Sequence, residues 1–97
     1  MSGITTHVLD TSRGRPASGV PVLLEFQEQD EWREMGQAET DADGRARQLL
    51  PPGSMLAAGT WRITFDVGKY FEAQGVESFY PEATIVFIIR DTGQHYH

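Results

Sequence analysis

Polar and apolar side chains alternate in the stretch Thr60-Trp61-Arg62-Ile63-Thr64-Phe65-Asp66-Val67, and this alternation decides the fold class. Because successive side chains of a strand point to opposite faces, this alternation predicts a β-strand whose apolar residues, from Trp61 to Val67, line one face. Gly68 follows, and we expect the strand to end there. A chain of 97 residues fits one domain, which this pattern predicts to be mostly β.

Four further segments alternate or are rich in β-branched residues, and we expect a strand in each. They are Ile4 to Leu9, Val20 to Phe26, Trp32 to Thr40 and Tyr80 to Ile89. The last carries apolar residues on both faces, so we expect both of its faces to be covered. Lys69 to Gly75 lacks alternation and closes on glycine, which predicts the single short helix, of about two turns.

Composition excludes several classes of function. The 14 acidic and 8 basic residues give a net charge of -6 without a basic cluster, so we expect no nucleic acid partner. The absence of cysteine excludes a disulfide scaffold, a thiolate nucleophile and a thiolate metal site. The longest near-apolar run, Ala83 to Ile89, is far shorter than the roughly 20 residues of a membrane helix, and no secretory segment opens the chain. We therefore expect a soluble domain with no membrane partner.

Three histidines, His7, His95 and His97, are the groups suited to acid–base chemistry near pH 7. On a strand, His95 and His97 would share a face and could chelate a metal, but the sequence names no third ligand, so we expect none. Simpler interpretations stay open: His7 as a hydrogen-bonded strand residue, the other two as surface residues, and Arg45 as a solvated residue after the Asp43-Gly44 turn.

A series of motifs along the chain gives further information about its function. They are Thr6-His7-Val8-Leu9-Asp10, Arg13-Gly14-Arg15-Pro16-Ala17 with Gly19-Val20, Thr40-Asp41-Ala42-Asp43-Gly44-Arg45, Phe65-Asp66-Val67-Gly68-Lys69-Tyr70-Phe71, Phe79-Tyr80-Pro81 and His95-Tyr96-His97. Together they strongly resemble the 5-hydroxyisourate hydrolases, the transthyretin-like enzymes of purine degradation. The resemblance covers essentially all 97 residues.

This resemblance implies an all-β, transthyretin-like (prealbumin-like) Greek-key β-sandwich with one short helix, formed by residues 1–97 as one domain. It implies hydrolysis of 5-hydroxyisourate at a cyclic amide bond, on the path from urate to allantoin, without a cofactor or metal. It also implies a homotetramer, a dimer of dimers with substrate sites between the dimers.

The catalytic and substrate-binding residues of the family fall on His7, Arg45 and His97. A neutral imidazole can take a proton from attacking water, and a guanidinium can hold the oxygens of a planar anionic purine derivative and stabilise charge on the carbonyl. These roles follow from the resemblance and are hypotheses at this point.

The sequence departs from the family at its end. Family members continue past the His-Tyr-His segment to a terminal Tyr-Arg-Gly-Ser, so we expect the sandwich to be C-terminally incomplete, without the end of the seventh strand and the eighth strand. Two alternatives follow: a non-catalytic transthyretin-fold binding module, or an inactive truncated hydrolase. We expect a cytoplasmic location, with peroxisome and periplasm left open because some relatives are sent there.

Overall fold

The structure is a computed structural model that describes residues 3–51, 53–54 and 56–97. These residues form ten β-strands and one α-helix, as the sequence predicts for a mostly β domain. In chain order they are β1 (Gly3–Ile4), β2 (Thr6–His7), β3 (Leu9–Asp10), β4 (Arg15–Pro16), β5 (Pro21–Glu28), β6 (Glu31–Glu39), β7 (Arg45–Ala46), β8 (Gly59–Phe65), α1 (Val67–Ala73), β9 (Ala83–Ile89) and β10 (His95–Tyr96).

The first layer is a four-stranded antiparallel sheet in the order β6-β5-β8-β9. Its strand β8 is the alternating segment, and Trp61 and Ile63 on its apolar face are buried. The prediction that this strand includes Val67 is wrong, because Val67 begins α1. The physical reason is Asp66, whose carboxylate accepts the backbone N–H of Lys69 at 3.0 Å and caps the helix there.

The second layer is made of short strand pairs. The predicted first strand is extended but divided: β1 runs parallel to β10, β2 pairs antiparallel with β7, and β3 pairs with β4. Between β6 and β8 the chain crosses from the first layer to the second, where it forms β7. Ile4 and Ala46 of the second layer pack in one buried cluster with Leu24, Trp61 and Ile89 of the first. The two layers therefore share one core, as in a β-sandwich.

Helix α1 begins two residues before the predicted position, and the chain leaves it through Gly75, which has a φ of 72°. Its Tyr70 is buried beside Ala17 and Val20. The Tyr70 hydroxyl donates a 2.8 Å hydrogen bond to Asp10, which ties the helix to the end of β3. No helix in the described part of the chain is long and apolar enough to cross a membrane.

Strand β9 differs from its prediction. It begins at Ala83 rather than Tyr80, and Ile85, Val86 and Ile88 are more than half exposed, at 56, 57 and 52%. The prediction that both faces are covered is therefore wrong for the chain alone. Among the described residues β9 pairs only with β8, so it is an edge strand, and the core covers it at Ile89 and in part at Phe87. The expectation of further strands beyond residue 97 stays a prediction.

Candidate active site

His7 and Arg45 lie directly opposite each other in the second layer. Strands β2 and β7 are antiparallel, with His7 in register with Arg45 and Thr6 in register with Ala46. Opposite residues of a strand pair share a face, with Cβ atoms about 5 Å apart. Because Ala46 is buried in the core, His7 and Arg45 project to the other face, where both are half-buried.

The turn before Arg45 positions this residue opposite His7. Gly44 donates its N–H to the Asp41 carbonyl at 2.9 Å, and the Asp41 carboxylate accepts the N–H groups of Arg45 at 3.1 Å and Asp43 at 2.9 Å. Gly44 has a φ of 77°, and a Cβ on it would lie 2.3 Å from the Val8 carbonyl oxygen. A residue without a side chain is therefore required where this turn touches the first strand.

The charged side chains of the turn leave the Arg45 guanidinium available to bind a ligand. The backbone hydrogen bond from Arg45, then that from Asp43 and the charge of Arg47, lower the pKa of Asp41, so this carboxylate is ionised at neutral pH. Asp41 and Asp43 each lie 3.9 Å from Arg47. Among the residues that the structure describes, no carboxylate lies within 4 Å of the Arg45 guanidinium. This cation can therefore meet an anionic ligand.

The His7 ring has one nitrogen occupied. Its Nε2 lies 2.9 Å from the backbone carbonyl oxygen of Asp43. A carbonyl oxygen only accepts hydrogen bonds, so Nε2 carries a proton and donates it. In the neutral ring Nδ1 is then the nitrogen that can accept a proton. His7 is thus a hydrogen-bonded strand residue, one of the open interpretations, and it retains a basic nitrogen.

His95 and His97 meet at the hydroxyl of Thr5. Strand β10 runs parallel to β1, and Thr5 Oγ1 lies 2.9 Å from His95 Nε2 and 3.0 Å from His97 Nδ1. The two imidazoles therefore share a face, as predicted. Within residues 3–51, 53–54 and 56–97, no three His, Asp or Glu side chains are arranged to hold a metal ion. Thr5 is not among the predicted site residues, although its position two residues before His7, on the same face of the predicted first strand, was a signal.

One open cleft brings two of the predicted residues together. It has a volume of about 490 Å³, and His7 and His97 line it together with Thr5 and apolar residues of β9 such as Phe87. This volume is in the range of small-molecule sites. Arg45 lies beside the cleft, opposite His7, rather than on its wall. The structure thus brings His7 and His97 to one cleft and places Arg45 next to it, while their chemical roles stay predictions.

Comparison with known proteins identifies the family. The model of the HIUase/Transthyretin family matches residues 4–97. The chain belongs to the HIUase/Transthyretin family. The family resemblance seen in the sequence motifs is therefore confirmed.

Individual members of the HIUase/Transthyretin family agree with this assignment. A Caenorhabditis elegans protein named "Probable 5-hydroxyisourate hydrolase" is 43% identical over 96 residues, which cover 99% of this chain and 70% of that protein. The structure of Klebsiella pneumoniae 5-hydroxyisourate hydrolase matches with a TM-score of 0.83 and 33% identity, covering 99% of this chain and 85% of that one.

The structure of transthyretin from Sparus aurata also matches. Its crystal structure gives a TM-score of 0.85 at 27% identity, covering 93% of this chain and 78% of that one. The fold is therefore the transthyretin-like β-sandwich with one short helix.

Proposed function

We propose that this protein hydrolyses 5-hydroxyisourate at a cyclic amide bond, a step in the degradation of urate to allantoin. Two relatives described above carry the name of this hydrolase, with 43 and 33% identity to this chain. The observation that carries the proposal is geometric. His7 lies opposite Arg45 and shares a cleft with His97, although the two histidines are 90 positions apart in sequence.

Arg45 is proposed to bind the substrate and stabilise charge. A planar guanidinium can donate two parallel hydrogen bonds to the oxygens of a planar anion. As water attacks the ring carbonyl, negative charge develops on its oxygen, and a fixed cation stabilises it. Because the net charge of the chain is -6, attraction of an anionic substrate must come from local groups such as Arg45.

His7 and His97 are proposed to move the protons. Hydrolysis of an amide needs one group that takes a proton from water and one that gives a proton to the leaving nitrogen. Nδ1 of His7 is not engaged by the Asp43 carbonyl, and Nε2 of His97 is not engaged by Thr5. Each ring thus has a nitrogen with which it can exchange a proton. Water, two imidazoles and a cation suffice for this reaction, so the proposal includes no cofactor.

We also propose that the protein is a homotetramer, a dimer of dimers, and that it acts in the cytoplasm. Support for the tetramer comes from β9, which has one unpaired edge in the described part of the chain and exposes the apolar side chains of Ile85, Val86 and Ile88. A second copy that covered these side chains would remove them from water and add buried area to a small core.

The test of the hydrolase is the decay of freshly generated 5-hydroxyisourate, followed by ultraviolet absorbance. His7→Ala and Arg45→Ala are each expected to lower kcat/KM by about 100-fold or more, since each removes a proton-transfer or charge-stabilising group. Arg47→Ala is the matched control, because its guanidinium is exposed beside Asp41 and Asp43, and it is expected to retain activity.

The outcomes separate the candidate functions. An unchanged rate in both the His7 and the Arg45 variants would contradict the proposed site. Saturable binding of the substrate without turnover by the wild-type protein would favour the alternative of a non-catalytic binding module.

A further inference from the structure

The Thr5 hydroxyl joins His97, which the proposed mechanism uses, to His95, which it does not use. Its Oγ1 lies 2.9 Å from Nε2 of His95 and 3.0 Å from Nδ1 of His97. A threonine hydroxyl has one proton to donate and otherwise accepts, so it cannot donate to both rings at once. At least one of these two ring nitrogens must therefore carry a proton and donate it to Thr5.

We propose that Thr5 is a positioning residue that fixes the tautomer of His97. In this arrangement Nδ1 of His97 donates to Thr5 Oγ1, and the Thr5 hydroxyl donates to Nε2 of His95. The neutral His97 ring then has its lone pair on Nε2, the nitrogen that can take the proton of an attacking water. The catalytic consequence rests on the proposed hydrolase function.

The opposite arrangement shows why the direction of this chain of hydrogen bonds matters. If Thr5 donated to Nδ1 of His97, the neutral ring would carry its proton on Nε2 and could not accept another there. In the proposed arrangement Nε2 of His95 accepts the Thr5 proton, so the Thr5 oxygen is left to accept from Nδ1 of His97. When His97 becomes positively charged, its Nδ1 proton keeps Thr5 as an acceptor, which stabilises the imidazolium.

The backbone sets Thr5 between the two rings. Its N–H donates to the Tyr96 carbonyl at 3.0 Å, and the parallel register pairs Gly3 with His95 and Ile4 with Tyr96. Threonine is branched at Cβ, so few χ1 rotamers are open to it and its hydroxyl direction is restricted. The position of the hydroxyl is thus determined by strand pairing before any ligand arrives.

Two substitutions separate the hydroxyl from the shape of Thr5. Thr5→Val keeps the shape without the hydroxyl, and it is expected to lower kcat by about 10- to 100-fold with little change in KM. Thr5→Ser keeps the hydroxyl without the methyl group, and it is expected to stay close to wild type. The opposite pattern, a loss in the serine variant and full kcat in the valine variant, would overturn the proposal. Thr84→Val is the control, because Thr84 is exposed on β9, outside the residues that line the cleft, and this variant is expected to keep the wild-type kcat.

A second readout does not depend on activity. Long-range ¹H–¹⁵N correlation spectra report which ring nitrogen of each histidine carries a proton. In the wild-type protein His97 is expected to be protonated on Nδ1, and Thr5→Val is expected to move this proton to Nε2. The same tautomer in both proteins would overturn the inference. A wild-type protein without turnover would reject the proposed function, while the spectra would still test the role of Thr5.

Discussion

At the scale of single residues, Arg45 and Arg47 lie two positions apart and differ in their surroundings. Arg47 is exposed and sits 3.9 Å from both Asp41 and Asp43. Arg45 is half-buried opposite His7, and its backbone N–H, rather than its guanidinium, bonds to Asp41. The carboxylates of the turn thus lie close to the guanidinium of Arg47, whereas Arg45 interacts with the turn through its backbone N–H.

This difference predicts the effect of conservative substitutions. Arg45→Lys is expected to raise KM for 5-hydroxyisourate by about tenfold or more, because an ammonium cannot form the two parallel hydrogen bonds of a guanidinium. Arg47→Lys should leave KM within about twofold of wild type, since exposed ion pairs contribute little. Steady-state kinetics of the two variants measure this difference, and equal KM values would contradict the role of Arg45 in binding.

Asp10 is a buried carboxylate outside the proposed site. It accepts hydrogen bonds from the Ser12 hydroxyl at 2.6 Å and the Tyr70 hydroxyl at 2.8 Å. The hydrogen bond from Ser12, then that from Tyr70, lowers the pKa of Asp10 below its ordinary value of 3.8. Because the pKa of Asp10 is lowered by folding, its carboxylate stabilises the fold fully at pH values above its ordinary pKa. This contribution is lost as the pH falls through the lowered pKa.

Removal of the Tyr70 hydroxyl should therefore have a pH-dependent effect. Tyr70→Phe is expected to lower the Tm at pH 7 by about 5 °C, because a buried carboxylate loses a donor. The difference from wild type should shrink as the pH falls below the ordinary value of 3.8 and through the lowered pKa of Asp10, because the carboxyl then becomes protonated in both proteins. Thermal unfolding followed by circular dichroism measures both quantities. Tyr80→Phe is the control, since Tyr80 is exposed, and a similar loss in that variant would count against the role of Asp10.

At the scale of elements, Gly36 shows how closely a loop packs on β6. A Cβ on Gly36 would lie 1.6 Å from the carbonyl oxygen of Leu49, a residue that is only 1% exposed. No side chain fits between strand and loop without a shift of backbone. This loop follows β7, so its position also bears on the strand that carries Arg45.

Gly36→Ala is accordingly expected to destabilise the fold by about 1 to 3 kcal/mol or more, the range of overpacked positions. Gly93→Ala is the matched control, because the nearest atom to its added Cβ is a flexible side-chain oxygen of Asp91 at 3.3 Å. Urea unfolding of both variants measures the free energy of unfolding. Equal free energies of unfolding for the two variants would contradict this prediction, because they would show that the loop moves to accommodate the added methyl group.

Strands and helices were predictable where the local sequence pattern and the tertiary environment favour the same structure. In β8 the alternation and the buried face coincide, so Trp61 and Ile63 were assigned correctly. At Val67 the alternation continued but the Asp66 cap began a helix, and a local hydrogen bond outweighed the pattern. In β9 the apolar residues were recognised, but what covers them depends on neighbouring strands or chains and cannot be derived from the segment itself.

At the scale of the whole molecule, the exposed apolar residues of β9 bear on assembly. Ile85, Val86 and Ile88 are each more than half exposed in the isolated chain. A tetramer is expected in sedimentation velocity, and its Tm should rise with protein concentration because association stabilises the folded subunits. A monomer whose Tm is independent of concentration would contradict the proposed assembly.

The sequence by itself determined the β class, the order of the main strands, the short helix and the family, because alternation, turn residues and ordered motifs are local properties. It also identified His7, Arg45 and His97 as candidates. Only the tertiary structure decided that Arg45 lies opposite His7 and that Thr5 bridges His95 and His97. Those contacts join residues 38, 90 and 92 positions apart, and the strand pairing that produces them depends on the packing of the whole chain.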